Sequence, residues 1–345
     1  MNYTSFISLL FLYTNISVCA QSQQYQDSLQ METLRKEGVY AIEQTTAERK
    51  AAFERAEAIA IKYQYIERQF FILGDAGDFY EKLGEYDKAI VLYKRAIEIK
   101  EKNKLKIWKG TYARWHNALS GTLQDKSLET TDDKQTILEE ALLYSKIATH
   151  LNSNKANFWL LLGNAHIRLA EVKLEPLEDN AELDPTMRTK IAEEALGHYR
   201  KAVVAYKKVE KLRPTHPDIE HNMGVLYREA GKVLGKYLGQ LDESIVSLEN
   251  AILYKKDVDS YRLLGVATGI KAVQLESEGK KEEGKAMHQK AIQYFEKALE
   301  IDAEAIAVLF NLQMAHHFLG NMEKAAFYRE KWQAINPNYS PNGTN

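Results

Sequence analysis

Residues able to do chemistry come in three groups here: histidines, paired glutamates and tryptophans. Nine histidines occur in 345 residues, with His216 and His221 five apart and His316 and His317 adjacent. A zinc site on one helix needs ligands three or four apart, which puts both rings on one face. Adjacent residues diverge by about a third of a turn. The spacings therefore support no metal site. The pairs Glu139-Glu140, Glu193-Glu194 and Glu282-Glu283 invite a reading as acid/base couples. Neighbouring helical residues point apart, whereas catalytic carboxylates need a fixed separation across a cleft. The pairs are expected on solvated helix faces, where Glu is a common helix former. Four tryptophans complete the set, and Trp108 and Trp115, seven apart, are the best candidates for a stacking platform. Core packing is the competing reading for both.

No G-x-S-x-G, Walker loop, H-E-x-x-H or G-x-G-x-x-G occurs. No enzyme activity, cofactor or metal is expected. Charged residues make up 27% and hydrophobic ones 45%, as in a folded soluble chain, and the net charge of −2 implies no basic face for nucleic acid. Six prolines and 18 glycines suit long helices. Residues 6–18 form a short apolar run followed by Val18-Cys19-Ala20 and a polar stretch, the pattern of a signal peptide cleaved after Ala20. The run is too short for a membrane span. Export to the periplasm or outside the cell is expected. The minor alternative is a lipoprotein anchored through Cys19, the one cysteine.

The elements that would carry these residues are helices in pairs. Residues 28–43 and 46–62 read as two helices after a frayed polar stretch at 21–30. Residues 77–96 then set a pattern: Gly77, Tyr80, Gly84, Tyr86, Ala89, Tyr93 and Ala96. Gly77 would let the neighbouring helix approach, and Gly84 would close the first helix. Ala89 and Ala96, seven apart, lie on one face. Tyr80 and Tyr93 fill the gap. Related sets follow at Trp159, Leu162, Gly163, Ala202 and Tyr206, at Gly224 and Tyr227, at Leu264, Gly265, Ala291 and Phe295, and at Leu312, Gly320, Ala325 and Trp332.

These spacings resemble the tetratricopeptide repeat, a helix–turn–helix unit of about 34 residues. The resemblance spans roughly residues 70–337 and implies a right-handed, all-α solenoid of about six repeats. The boundaries expected are 1–20 signal peptide, 21–66 helical cap or degenerate repeat, 67–337 repeats and 338–345 disordered tail. A helix at 105–122 and a polar break at 124–134 belong to the second repeat. Extra residues at 171–194 and 275–285 read as helix extensions, with a real loop where Pro176 and Pro185 fall. In the resemblance, His166 and His316 take the place of the first-helix Tyr, and the other histidines are surface residues. Trp159 occupies a packing site, and Trp332 replaces a small residue, implying a wide final gap or an exposed cap. First helices of the family line a concave groove. The positions carried over are Asn157, Asn164, Arg168, His221, Arg228, Arg262 and Asn311, and the first two repeats offer no such set. Some family members grip a partner's terminal carboxylate with such residues. The resemblance implies a non-catalytic scaffold or assembly factor that binds another protein or a peptide. The alternative is a transporter-associated or small-molecule-binding protein that forms a homo-oligomer through its lengthened helices.

Overall fold

The computed structural model describes residues 3–41, 43–131, 133–179 and 183–339, without the side chains of 3–19 and 179. The side chain of Cys19 and tail residues 340–345 lie outside that description, so the export and lipoprotein readings rest on sequence. Among the described residues the fold is all-α: α1 Tyr3–Tyr40, α2 Thr46–Lys62, α3 Ile66–Lys82, α4 Tyr86–Lys102, α5 Lys109–Glu129, α6 Lys134–Leu151, α7 Ala156–Asp179, α8 Pro185–Leu212, α9 Ile219–Lys236, α10 Leu241–Tyr254, α11 Val258–Ser277, α12 Lys281–Ile301, α13 Ile306–Phe318 and α14 Met322–Ile335. They form two units, Met1–Leu161 and Leu162–Asn345. No described helix is long and apolar enough to cross a membrane.

The first unit shows how the pairs are made. In α3/α4, Gly77 faces Tyr93, and a Cβ at Gly77 would sit 2.6 Å from the Tyr93 ring. Tyr93, Ala89 and Ala96 are fully buried, so the helix axes close over one aromatic ring. Gly84 ends the first helix with φ +73, a left-handed turn that costs glycine little. The same close approach recurs at Gly163 against Tyr206 and Gly265 against Phe295 in the second unit. Helices α1 and α2 are a pair too. Thr45 and Glu48 form a capping box at the start of α2. Met31, Leu34, Ala52, Phe53 and Ala56 pack with Ile72, Ala76 and Phe79 of α3.

Several expectations need correction. The stretch 21–30 is not frayed but lies inside α1. Gln23 bonds Asp27 one turn on at 2.7 Å, and Asp27 also accepts from Lys62 and from the Tyr63 hydroxyl. The polar run from Gln124 does not break α5, which continues to Glu129. Gln124 is buried and donates through Nε2 to the Ser120 hydroxyl and the Leu161 carbonyl, so its polarity is satisfied inside the stack. Pro176 lies within the last turn of α7 rather than in a loop, whereas Pro185 opens α8 with Asp184 as its cap. The extension at 171–194 is helical over 171–179 and 185–194, and that at 275–285 is helical on both sides of a turn at Gly279.

The histidines divide differently from expectation. His166 and His316 are buried, but so are His116, His216 and His288. Stacking explains two of these additions: His116 lies against Tyr144 with 5.6 Å between centroids, and His288 against Phe318 at 5.2 Å. A neutral imidazole stacks on an aromatic ring much as Tyr would. Trp332 is buried, with Nε1 donating to Gln313 at 2.7 Å and its ring against Phe310 and Tyr339. It fills the final gap rather than standing as an exposed cap.

Candidate binding clefts on the first-helix faces

Helices α1, α3 and α5 are the first helices of the three pairs in the first unit. Each presents residues one turn apart on a common face, as the helical period requires. They are Arg35, Lys36, Val39 and Tyr40 from α1, Phe71 and Asp75 from α3, and Gly110, Thr111, Arg114 and Trp115 from α5. With Trp108, the residue preceding α5, they line a cleft of about 430 Å³.

The floor and rim of this cleft are fixed by ion pairs. Two nitrogens of Arg35 converge on Asp75 Oδ2, each at 2.7 Å. Arg114 reaches Asp75 Oδ1 at 3.5 Å and Asp78 Oδ2 at 3.0 Å. Its guanidinium stacks 4.0 Å from the Trp115 ring centroid, and that of Arg35 lies 5.4 Å from Phe71. Asp75 thus bridges two arginines that come from the helices on either side. Further along α3, Asp78 and Glu81 both approach the Tyr93 hydroxyl, at 2.6 and 2.8 Å. Burial pushes the pKa of both carboxyls up. One hydroxyl proton cannot serve two carboxylates fully, which works in the same direction.

The two platform candidates part company here. Trp115 is 1% exposed and packs against Phe70 and Tyr93, so it is core. Trp108 is 73% exposed. Its ring lies on Gly110, where a Cβ would come within 2.3 Å of it, so one face of the ring is backed by main chain. Tyr40, 74% exposed, borders the same cleft. Sequence reasoning missed Arg35, Lys36, Tyr40, Phe71, Asp75, Thr111 and Arg114. The i, i+4 recurrence within each first helix was the available signal.

A second cleft in this unit, about 410 Å³, is bordered mainly by the second helices α2 and α4. Three of its charged groups, Glu57, Asp87 and Lys88, have partners in Arg95, Lys126 and Glu85. In the second unit a smaller cleft of about 280 Å³ opens between α11 and α13 over α12. Its lining is nearly all apolar and includes Ile270, Val273, Met314 and Phe318, with His288 beneath. Both ring nitrogens of His288 lack a hydrogen bond, the nearest group being Glu276 at 3.6 Å, and burial pulls its pKa down.

The groove residues expected from the repeat positions all fall on first helices: Asn157, Asn164 and Arg168 on α7, His221 and Arg228 on α9, Arg262 on α11 and Asn311 on α13. Asn157 and His221 are exposed. Asn311 lines the α11/α13 cleft. Others already have partners inside the fold. Asn164 Oδ1 accepts from the Tyr206 hydroxyl at 2.5 Å. Arg228 pairs with Glu229 at 3.1 Å and with Asp257 at 3.3 Å, and Arg262 meets Asp259 at 3.4 Å. Asp257 caps α11 through Ser260, so Arg228 ties α9 to the start of the next first helix. No cluster of three or more potential metal ligands occurs among the described residues.

Residues 72–103 and 277–304 match the family profile described as "Tetratricopeptide repeat". No curated protein matches the chain. Among solved structures, it is similar to the C-terminal part of a TPR repeat-containing protein from Cytophaga hutchinsonii, at 14% identity and a TM-score of 0.48 over 90% of this chain and 95% of that one. It is also similar to YrrB, described as a TPR protein with an unusual peptide-binding site, at 22% identity and a TM-score of 0.41 over 72% and 93%. A third is MamA 41-end from Desulfovibrio magneticus RS-1, at 22% identity and a TM-score of 0.39 over 65% and 97%.

Proposed function

This chain is a tetratricopeptide repeat protein, and from that premise we propose that it is a non-catalytic scaffold that binds a segment of another protein on its first-helix faces. One observation carries the reading: first helices of each unit border a cleft, and the one in the first unit holds an indole and a phenol that the fold leaves exposed. Exposed aromatic rings at the mouth of a formed cleft are what binding hot spots are made of. A stacked scaffold also limits the ordering cost of binding. The groove set expected from the repeat positions enters this reading through Asn157, His221 and Asn311. Arg228 and Asn164 serve the stack first.

We further propose that the chain is exported, on the strength of residues 6–18 and the small residue Ala20. Sequencing the N-terminus of the protein from its host tests this, and an unprocessed Met1 refutes it. The scaffold reading is tested by placing a photo-crosslinking residue at Trp108 or Val273, which line the two first-helix clefts, and at Val204 or Val246, on the second helices α8 and α10. All four positions are more than 40% exposed. A shared partner trapped from the first-helix positions alone supports it. Trapping from the second-helix positions alone, or of a second copy only, refutes it and favours the oligomer alternative.

A further inference from the structure

Resting on that reading, we propose that the α1/α3/α5 cleft selects a partner segment carrying an acidic side chain beside an aromatic one, the acid against Lys36 and Arg114 and the ring against Trp108 and Tyr40. Charge complementarity is the first ground. Arg35, Lys36 and Arg114 line the cleft against a single acid, Asp75. Asp75 is taken by Arg35 and stands further from Arg114. Lys36 is exposed and has no ion-pair partner among the described residues. Arg114 is 53% exposed and makes only one contact near 3 Å. An acid entering here meets Lys36, which no ion pair among the described residues neutralises, beside the exposed guanidinium of Arg114, whose own acids Asp78 and Asp75 lie at 3.0 and 3.5 Å. A basic side chain meets three lining cations and one lining acid that is already paired.

The aromatic preference comes from Trp108. A freely rotating surface indole loses rotamer freedom on binding. This one is already braced against Gly110, so much of that ordering is complete beforehand. The open face takes a flat ring by offset stacking, with Tyr40 bordering the same space. Arg114, stacked on Trp115 at the floor, holds its guanidinium in a fixed plane beside these rings. A carboxylate bonded there sits next to the stacking site, so the two preferences fall on neighbouring residues of the partner.

The experiment is a random linear peptide library displayed and panned on the full chain, on Trp108→Ala and on Lys36→Glu. Both substitutions are at exposed positions, and unchanged helicity and melting temperature confirm that they fold. A third variant, Val273→Asp, disables the α11/α13 cleft. The chain is expected to enrich peptides with Asp or Glu beside Phe, Tyr or Trp. Their affinity should fall about tenfold or more with Trp108→Ala, fall with Lys36→Glu, and weaken as salt rises. Enriched peptides without an acid, or with affinity indifferent to Trp108→Ala and Lys36→Glu, overturn the proposal. If their binding is lost with Val273→Asp, the scaffold reading survives without it. If no peptide is enriched on any form, both fall.

Discussion

Replacing Gly77 with Ala in the middle of α3 should destabilise the protein, against the usual rule. Gly→Ala inside a helix ordinarily gains about 1 kcal/mol, because Ala is the better helix former. At Gly77 the new Cβ would sit 2.6 Å from Tyr93 Cε1, where carbons rest at about 3.5–4.0 Å. The ring must move by about 1 Å. It has little freedom to do so: Tyr93 is 0% exposed, its hydroxyl is held by Asp78 and Glu81, and Trp115 lies 6.0 Å away between centroids. Overpacking of this kind costs about 1–3 kcal/mol, and straining the hydroxyl bonds adds about 1 kcal/mol. The net expectation is a loss of about 1–3 kcal/mol. Gly197 in α8 is the control, since a Cβ there meets nothing within 4 Å. Gly197→Ala should gain about 0.5–1 kcal/mol. Urea unfolding with hydrogen exchange read separately over α3/α4 and α8 gives both values. A Gly77→Ala protein as stable as the parent refutes the claim that this glycine is there for helix approach.

Acidification should weaken the fold through its buried histidines. Burial pulls His116 down to about 4, and His288 and His316 also move down. The unfolded chain takes up a proton near 6.5 and the folded chain does not, so stability falls as pH drops from there towards 4. For His116 alone the loss at pH 5 is about 2 kcal/mol, and His116→Phe should remove that part of the slope in urea titrations at pH 7 and 5. Glu81→Gln should raise stability at pH 7, because the Glu81 pKa is raised and its ionised form is the disfavoured one in the fold. The gain should vanish below the ordinary value of 4.5, where Glu81 is protonated in both states. A gain that persists at low pH would place the effect elsewhere. Arg228→Ala should cost about 1 kcal/mol through its lost tie to Asp257, with faster hydrogen exchange in the first turn of α11. Loss of partner binding without that change would mean Arg228 belongs to the binding surface after all.

The parts of the fold legible in the sequence are those where one residue type has one physical job. Gly77, Ala89, Tyr93 and Ala96 are read correctly because close helix approach needs small residues at fixed spacing and one ring between them. The Trp108/Trp115 pair shows where this ends. Seven apart suggests a shared face, but Trp108 stands just before α5, so the helical period does not govern its direction. Gly110, two residues on, makes the seat for its ring, a contact no periodicity reveals. The repeat pattern assigns an inner place only to His166 and His316, yet His116, His216 and His288 are buried as well. Two of them are buried because a facing ring, Tyr144 or Phe318, accepts a neutral imidazole. The facing ring lies 28 residues away for His116 and 30 for His288.

Arginine on a first-helix face has the same two possible jobs in both units, and the neighbouring helix decides between them. In the second unit Arg228 meets Asp257, which also caps α11, with side chains only 19% and 21% exposed. A partner carboxylate would have to displace an acid that is already desolvated and in place, and leave Asp257 with one partner fewer. That exchange gains little. In the first unit Asp75 sits between Arg35 and Arg114, Glu32 and Asp78 add a second acid to each at 3.5 and 3.0 Å, and Lys36 on the same cleft makes no ion pair among the described residues. The positive charge left over by the stack is therefore that of Lys36, which lines the same cleft as Trp108. A charge that the fold has not used, next to an aromatic face that the fold has not covered, distinguishes this cleft from the arginines that share its helix register elsewhere.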